Sequence, residues 1–257
     1  MHLLDKKNPQ DARLLASRTT FAKILHGCSL TVGLHAPRGT GKDTTASNFY
    51  RHIHGTTNIF SFASPLYGAV SALTGLSVQF LADQANKNRP LTPDDTPVKS
   101  LHGKTIRKLL ELMGTEIVRD QIHPDHFVCL MEAKLATRSN GCLFFVTDLR
   151  FRNEAALCDV VVELRRDGDM GYSDEHESRK RLPEQYIDAT YKLPNGDTSV
   201  DATCAFTEWL APVITESLDV GKKQFRRRTL AQELLDESNQ RQEDEQRTRA
   251  NTPAYLG

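Results

Sequence analysis

Residues 29–44 read SLTVGLHAPRGTGKDT, and this stretch decides the fold. Ser29–Ala36 is an apolar run of strand length, and Lys42–Ile53 carries apolar residues at helical spacing. Between them lie Gly39 and Gly41, which let the backbone wrap closely because no Cβ blocks positive φ or an approaching ligand. Such a loop binds phosphate because its N–H groups and the helix N-terminus point at phosphate oxygens. The sequence therefore predicts a nucleotide-phosphate loop between a buried strand and a helix.

This loop departs from the pattern G-x-x-x-x-G-K-[ST] at two positions. Ala36 replaces the first glycine, and Asp43 replaces the serine or threonine that normally binds magnesium. Lys42 supplies a mobile charge for the β- and γ-phosphates. A triphosphate would repel an unshielded carboxylate, so we expect Mg²⁺ between Asp43 and the phosphates, directly or through water. The alternative is that Asp43 only complements the helix dipole.

Strand-like and helical segments alternate along the rest of the chain. Further strand-length apolar runs are Ile59–Ala63, Cys142–Thr147, Val160–Leu164 and, more weakly, Tyr191–Leu193. Helical periodicity covers Leu66–Leu73, Ile106–Val118, Phe127–Ala136 and Val200–Leu218. The segment 82–103 is polar and proline-dotted, as expected of a mobile excursion. This alternation predicts an α/β fold with a doubly wound, mainly parallel sheet.

The chain divides into three parts by composition. Residues 1–27 form a polar, weakly helical N-terminal extension, and residues 28–220 form the α/β domain. Residues 221–257 are highly charged and begin with a basic patch at Lys222, Lys223 and Arg226–Arg228. We expect this last part to be a solvated helix that fades into a disordered tail.

Overall composition excludes several classes of protein. The 257 residues include 33 basic and 33 acidic side chains, so no net field draws the protein to nucleic acid or an anionic membrane. No apolar run approaches the roughly 18 residues that a membrane span needs, and residues 1–10 lack the apolar region of a secretory signal. The five cysteines form no C-x-x-C pair, which favours reduced thiols in a cytoplasmic protein.

Charged residues follow two of the predicted strands. Asp148 and Arg150 come directly after Cys142–Thr147, and the carboxyl ends of parallel strands face the ligand crevice. Arg165 and Arg166 follow the next strand, where arginines on a loop can close over phosphates and exclude water. The alternative for each of these residues is an exposed turn with surface ion pairs.

Several motifs together resemble the phage-type deoxynucleoside monophosphate kinases, a branch of the P-loop nucleoside monophosphate kinases. The motifs are GKDT (41–44), FASPL (62–66), LMGTEIVRD (112–120) and Asp148-Leu149-Arg150 with Asn153-Glu154. SDEHES (173–178) is similar to a histidine-containing element of the family's lid, although Arg179 stands where the family often has glutamate. The resemblance covers residues 30–218.

The resemblance implies transfer of the γ-phosphate of ATP to a deoxynucleoside 5′-monophosphate (dNMP), with Mg²⁺. Donor phosphates and metal would be held by Gly39, Thr40, Gly41, Lys42, Asp43 and Thr44, with Arg165 from the lid side and Asp148 as a second metal ligand. The acceptor would be bound by Ala63, Pro65, Leu66, Arg107 and Arg119, with Arg150 near the transferred group. Arginine suits phosphate because its planar fork bonds two oxygens at once.

Two other functions remain open at this point. A kinase of another small phosphorylated acceptor, such as the animal-type phosphomevalonate kinases, is similar at Gly-Lys-Asp and Asp-x-Arg. A DNA-associated ATPase has weaker support, because one basic patch on a neutral chain is little reason to expect a nucleic-acid partner. The sequence leaves a monomer and a homodimer open. The expected location is the cytoplasm, that of the host if the chain is phage-encoded.

Overall fold

The computed structural model describes residues 8–53, 57–137, 140–169, 171–172, 180–194 and 199–251. In these residues one sheet has the strand order β2-β3-β1-β4-β5, and every neighbouring pair is parallel. The strands are β1 Leu30–His35, β2 Thr57–Phe60, β3 Leu143–Val146, β4 Val160–Arg165 and β5 Ala189–Lys192. The predicted parallel α/β sheet is confirmed.

The strand order places the end of β1 at the centre of the sheet. Leu30 pairs with Leu143 of β3 on one side, and Val32 pairs with Val160 of β4 on the other. All six residues of β1 are buried, as expected for a parallel strand covered on both faces. From β1 the chain crosses to β2 on one side of the sheet, and from β3 it crosses to β4 on the other side. The carboxyl ends of β1 and β3 therefore border the crevice where such sheets bind ligands.

Helices cover both faces of the sheet. The α-helices are α1 Pro9–Ile24, α2 Lys42–Ile53, α3 Ser64–Thr74, α4 Val78–Ala82, α5 Ile106–Glu111, α6 His126–Ala136, α7 Arg152–Leu157, α8 Val200–Asp219 and α9 Lys222–Asn251. A π-helix, Leu112–Ile122, continues α5, and short 3₁₀ turns lie at Lys99–Leu101 and Glu184–Tyr186. None of the helices described is both long and apolar enough to cross a membrane.

The core on one face is centred on Phe49 of α2. Its ring is fully buried and lies 5.1 Å from Phe21 of α1, 4.9 Å from Phe145 of β3 and 6.4 Å from Phe206 of α8, between ring centroids. Removing such a ring typically costs about 3–5 kcal/mol. This cluster fixes α2, and with it the loop at the N-terminus of α2. The opposite face buries Phe127 of α6, with Met131, Leu157 and Tyr186.

A third apolar cluster stabilises the region between β2 and β3. Val70, Leu76, Leu81, Leu91 and Ile106 are its buried members. Leu91 anchors the polar excursion predicted at 82–103: its N–H donates to Lys104 O at 2.8 Å and its carbonyl accepts from Gly103 N–H at 2.9 Å.

Three elements differ from the expectations. The apolar run 59–63 was expected to be a strand to its end, but β2 stops at Phe60 because the N–H groups of Phe62 and Ala63 donate to Asp148 instead. The helix expected at 106–118 becomes π-helical at Leu112, where a Cβ on Gly114 would lie 3.0 Å from Leu66 Cδ2. Helix α7 is six residues long, too short for its periodicity to be read.

The charged C-terminal segment packs against the domain rather than being solvated throughout. Arg226 is 0% exposed; its guanidinium donates to both carboxylate oxygens of Asp188 and to the carbonyls of Cys158 and Asp159. Further along α9, Glu233 accepts from Arg152 at 2.8 Å. A run of charges gave no sign of this docking, because a buried arginine and a solvated one look the same in sequence.

Candidate active site

The glycine loop lies where residues 29–44 predicted it, between the end of β1 and the start of α2. Gly39 has φ +81° and Gly41 has φ +108°, conformations that side chains with a Cβ rarely adopt. Helix α2 begins at Lys42, and Asp43 and Thr44 are exposed in its first turn. The fold therefore aims a helix N-terminus, with its partial positive charge, at the mouth of the loop.

Lys42 lies across the loop rather than in solvent. Its side chain is 7% exposed, and Nζ donates to Ala36 O at 3.1 Å and Pro37 O at 3.2 Å. Burial, with help from the nearby charge of Arg150, lowers the pKa of Lys42 to about 8. The ammonium group is thus held on weak neutral acceptors, and an anionic ligand would be a better partner.

Arg166 supplies a second cation at the loop. Its Nη2 lies 3.1 Å from the position that a Cβ on Gly41 would occupy, and its buried Nε has no hydrogen-bond partner in the described part of the chain. Asp169 ties this turn to the loop: Oδ2 accepts from Arg166 N–H at 2.7 Å, and Oδ1 lies 2.9 Å from Thr40 Oγ1.

Arg165, the neighbour that was expected at the donor phosphates, is paired with other side chains in this structure. Its Nε is 3.3 Å from Glu163 Oε1, and its guanidinium carbon lies 5.1 Å from the centre of the Tyr172 ring. Arg181 donates two bonds to the same Glu163 carboxylate at 2.9 Å each. Burial alone would raise the pKa of Glu163, but the bonds from Arg181 and Tyr172 and the charge of Arg165 hold it at about 2. Arg165 therefore belongs to a charge cluster beside the loop.

Asp148 joins the end of β3 to the turn after β2. Its Oδ2 accepts from Ser61 Oγ at 2.7 Å and Ala63 N–H at 2.8 Å, and its Oδ1 accepts from Phe62 N–H at 2.9 Å. Both oxygens of this predicted metal ligand are thus occupied in shaping the FASPL segment.

Arg150 is half-buried and close to the loop. Its positive charge helps to lower the pKa of Lys42 and that of His35, although burial is the larger cause for both. Its N–H donates to Glu154 Oε2 at 2.8 Å, while its guanidinium has no hydrogen bond to any residue that the structure describes. Lys42, Arg166 and Arg150 are thus three of the cations at this edge of the sheet.

The predicted acceptor residues form the other wall. Ala63 precedes α3, Pro65 is exposed in its first turn, and Leu66 packs on Gly114, so the FASPL and MGTE segments meet. Arg107 lies at the start of α5, where its Nε donates to Asn88 Oδ1 at 2.6 Å.

Arg119 is enclosed by protein. Its side chain is 10% exposed, and its guanidinium lies between the rings of Phe127 and Phe151, with centroids 5.1 and 3.9 Å away. It donates to Pro124 O at 3.0 Å and to Glu154 Oε1 at 2.5 Å. The structure therefore does not bring this predicted phosphate ligand to the open crevice.

Comparison with known proteins gives the family. A putative deoxynucleotide monophosphate kinase of Acanthamoeba polyphaga mimivirus is 32% identical over 145 residues, which cover 52% of this chain and 68% of that protein. The chain belongs to the deoxynucleotide monophosphate kinases. The deoxynucleoside-5′-monophosphate kinase of Escherichia phage T5 is 24% identical over 227 residues, covering 65% of this chain and 90% of that kinase. No protein-family model matches the chain. The resemblance predicted from the motifs is confirmed.

His35, the last residue of β1 before the glycine loop, is a buried residue that sequence reasoning did not single out. It is fully buried at the end of β1, where Nδ1 lies 3.2 Å from Leu149 O and Nε2 accepts from Leu182 N–H at 3.1 Å. Its ring stacks on Tyr172 at 4.9 Å. Burial lowers the pKa of His35 to about 4, so the ring is neutral at pH 7, with Nδ1–H donating to Leu149 O. The available signal was a histidine that ends an otherwise apolar strand.

The structure leaves one predicted element of the kinase undescribed. SDEHES (173–178) and Arg179, which were expected in the lid, lie outside the described residues.

Proposed function

We propose that this kinase transfers the γ-phosphate of ATP to a dNMP. An oxygen of the acceptor's phosphate attacks the γ-phosphorus, the bond from that phosphorus to the β,γ-bridging oxygen breaks, and ADP and the deoxynucleoside diphosphate leave. No protein nucleophile is needed, because the protein's task is to align two polyanions and neutralise their charge.

One observation carries the proposal: three cations surround one glycine loop at the carboxyl edge of a parallel sheet. Lys42 lies across the loop, Arg166 lies over Gly41, and the charge of Arg150 helps to lower the pKa of Lys42. Like charges repel one another, and an anion bound between them offsets that repulsion by attracting each of them. A triphosphate supplies that anion, and its presence would release Lys42 Nζ from the loop carbonyls.

The donor phosphates are assigned to the loop and α2. Backbone N–H groups of Gly39, Thr40 and Gly41 would face the β-phosphate, with Lys42 on the β- and γ-phosphates. We assign the lid-side contact to Arg166 rather than Arg165, because Arg165 is paired with Glu163 whereas Arg166 lies at the loop.

Mg²⁺ fits the donor set at the start of α2. Asp43 is exposed there beside Thr44, and its carboxylate has no hydrogen bond to the described residues, whereas that of Asp148 already accepts three. Asp43 and Thr44 would therefore hold the metal, which supplies charge neutralisation to the phosphates when bound. Asp148 serves instead to shape the acceptor wall.

The acceptor nucleotide is assigned to the wall formed by Ala63, Pro65 and Leu66. Arg107 would contact its phosphate from α5, and Arg150 would lie between donor and acceptor, where charge builds up during transfer. We place the reaction in the cytoplasm, that of the host if the chain is phage-encoded, where ATP, Mg²⁺ and dNMPs occur together.

The proposal is tested by offering purified protein ATP, Mg²⁺ and each of the four common dNMPs, and measuring diphosphate products by chromatography. We expect product from at least one dNMP and none without acceptor. Lys42→Met is the control: it should fold normally and lose about 10²–10³-fold in kcat, the usual effect of removing one charge-stabilising donor. No product from any dNMP, with phosphomevalonate accepted instead, would assign the chain to the other class of small-molecule kinase.

A further inference from the structure

Glu154 is a buried carboxylate that holds the backbone of Arg150. It is the third residue of α7 and is 1% exposed. Its Oε2 accepts from Arg150 N–H at 2.8 Å and from Phe151 N–H at 3.2 Å. A carboxylate at this helical position commonly reaches back to the residue before the helix. Here it also fixes the residue that carries the proposed catalytic guanidinium.

Arg119 in turn holds Glu154. It donates to Oε1, the oxygen that the backbone groups leave free, and its flat guanidinium fits between the rings of Phe127 and Phe151. A second donor goes to Pro124 O, which also lies 3.2 Å from Asn153 Nδ2. Both partners are therefore fixed by contacts on several sides.

We infer that Arg119 and Glu154 are a positioning pair that sets Arg150 for phosphoryl transfer, and that neither contacts substrate. This inference rests on the proposed function. It replaces the expectation that Arg119 clamps the acceptor phosphate, since that guanidinium is enclosed and bonded to Glu154 and Pro124 O.

The turn at Leu149–Arg150 is held from three sides. Asp148 is bonded to the segment after β2, Leu149 O lies 3.2 Å from Nδ1 of His35, and Arg150 N–H is bonded to Glu154. The first two contacts fix residues before Arg150, so among the residues that the structure describes it is Glu154 that fixes the backbone at Arg150 itself. Losing it should let this backbone move, and a shift of about 1 Å at a reacting group can cost on the order of 100-fold in rate.

The isosteric substitution Glu154→Gln separates charge from shape. A glutamine has one acceptor oxygen and one donor group, so no orientation serves both Arg119 and the two backbone N–H groups. The expected result is a kcat lower by about 100-fold, with the KM values for ATP and dNMP little changed. Arg119→Met should act in the same direction, and Arg119→Lys, which keeps a donor for Glu154, should recover most of kcat.

Asp188→Asn is the matched control. Asp188 also pairs with a buried arginine, Arg226, and also accepts a backbone N–H, that of Val161. It directly precedes β5, at the amino edge of the parallel sheet, which is the edge opposite the loop. It should lower the melting temperature as the Glu154 and Arg119 variants do, yet leave kcat near that of the wild type.

The outcomes separate the two proposals. A wild-type protein that phosphorylates no dNMP overturns the proposed function and this inference with it. An active wild type with unchanged kcat in folded Glu154→Gln overturns the inference alone, as does a kcat loss no greater than that of Asp188→Asn at equal loss of stability. If Glu154→Gln does not fold, the Arg119 variants decide: a raised KM for dNMP at unchanged kcat would restore Arg119 as a phosphate ligand.

Discussion

At the scale of single residues, Lys42 is a buried cation at the glycine loop. In the ligand-free protein its ammonium group is buried, lies near Arg150, and has only neutral carbonyl oxygens as hydrogen-bond partners. Burial and the charge of Arg150 both favour loss of its proton, and a bound phosphate opposes both by placing negative charge within a few ångströms. Nucleotide binding should therefore be coupled to protonation of Lys42.

ATP affinity should fall as the pH rises above about 8, the pKa to which burial lowers Lys42. Only the protonated form attracts the triphosphate, so above this pH binding must also take up a proton. The dissociation constant should then rise by up to about tenfold per pH unit. Isothermal titration calorimetry with ATP from pH 7 to 9.5, without acceptor, measures this slope.

Lys42→Arg is the control for this titration, because a guanidinium keeps its proton throughout the range. Its affinity for ATP should be independent of pH, whatever its absolute value. The same slope in both proteins would show that another group is responsible.

At the scale of elements, the end of β1 joins three parts of the site. His35 contacts Leu149 after β3 and Leu182 before β5, and its ring stacks on Tyr172. These contacts need a neutral ring, with one nitrogen donating and the other accepting. Burial lowers the pKa of His35 to about 4, against about 6.5 in an unfolded chain, so the unfolded state binds the proton first as the pH falls.

The free energy of unfolding should therefore fall between pH 6.5 and 4, with His35 contributing up to about 3 kcal/mol of the loss. His35→Gln keeps one donor and one acceptor without a titrating group, so it should lose less stability over this range. Urea denaturation of both proteins at pH 7, 6, 5 and 4 compares them. Parallel stability curves for the two proteins would rule out this role for His35.

Sequence predicted the helices and strands that are marked by residues close together in the chain. The β1–loop–α2 unit was found because Gly39 and Gly41 sit between an apolar run and a helical stripe, and β3 because it is buried on both faces. The end of β2 depends on a partner distant in sequence, because Phe62 N–H donates to Asp148, and the contact of Leu66 with Gly114 in the π-helix is equally distant. No periodicity reports such contacts.

The same limit applies to the site. Lys42, Arg150 and Asp43 were placed at the crevice by their positions after strands or at a helix start. Sequence could not tell which of the adjacent residues Arg165 and Arg166 faces the loop. In the structure Arg165 pairs with Glu163, whereas Arg166 lies beside Gly41. Sequence alone does not distinguish two roles for Arg119 for a related reason: a phosphate ligand and a buried ion-pair partner are the same residue type on the same kind of helix.

At the scale of the whole molecule, the C-terminal helix α9 packs against α7 and against the segment before β5. Arg226 bonds Asp188 before β5, and Arg152 of α7 bonds both Glu233 and Glu237 of α9. Tyr186 Oη donates to the same Glu233 at 2.7 Å. Helix α9 thereby holds together α7, which carries Glu154, and the 3₁₀ turn at Glu184–Tyr186.

Two truncations test whether α9 is structural. A chain that ends at Gly221 loses Arg226 and leaves Asp188 buried without its partner, a change that typically costs about 3–5 kcal/mol. Its melting temperature should fall by roughly 10 °C. A chain that ends at Glu237 keeps the contacts described above and should melt with the full-length protein. Equal melting temperatures for all three chains, measured by circular dichroism, would make α9 a dispensable tail.

The central claim is that the cations around the glycine loop pass a phosphoryl group to a nucleotide rather than to water. The most direct measurement uses ATP radiolabelled in its γ-phosphate, together with a dNMP, and follows the label. We predict that the label appears in the deoxynucleoside diphosphate, one equivalent for each ADP formed, and that ADP formation stops when dNMP is left out. Label released as inorganic phosphate at the same rate with and without dNMP would contradict the account.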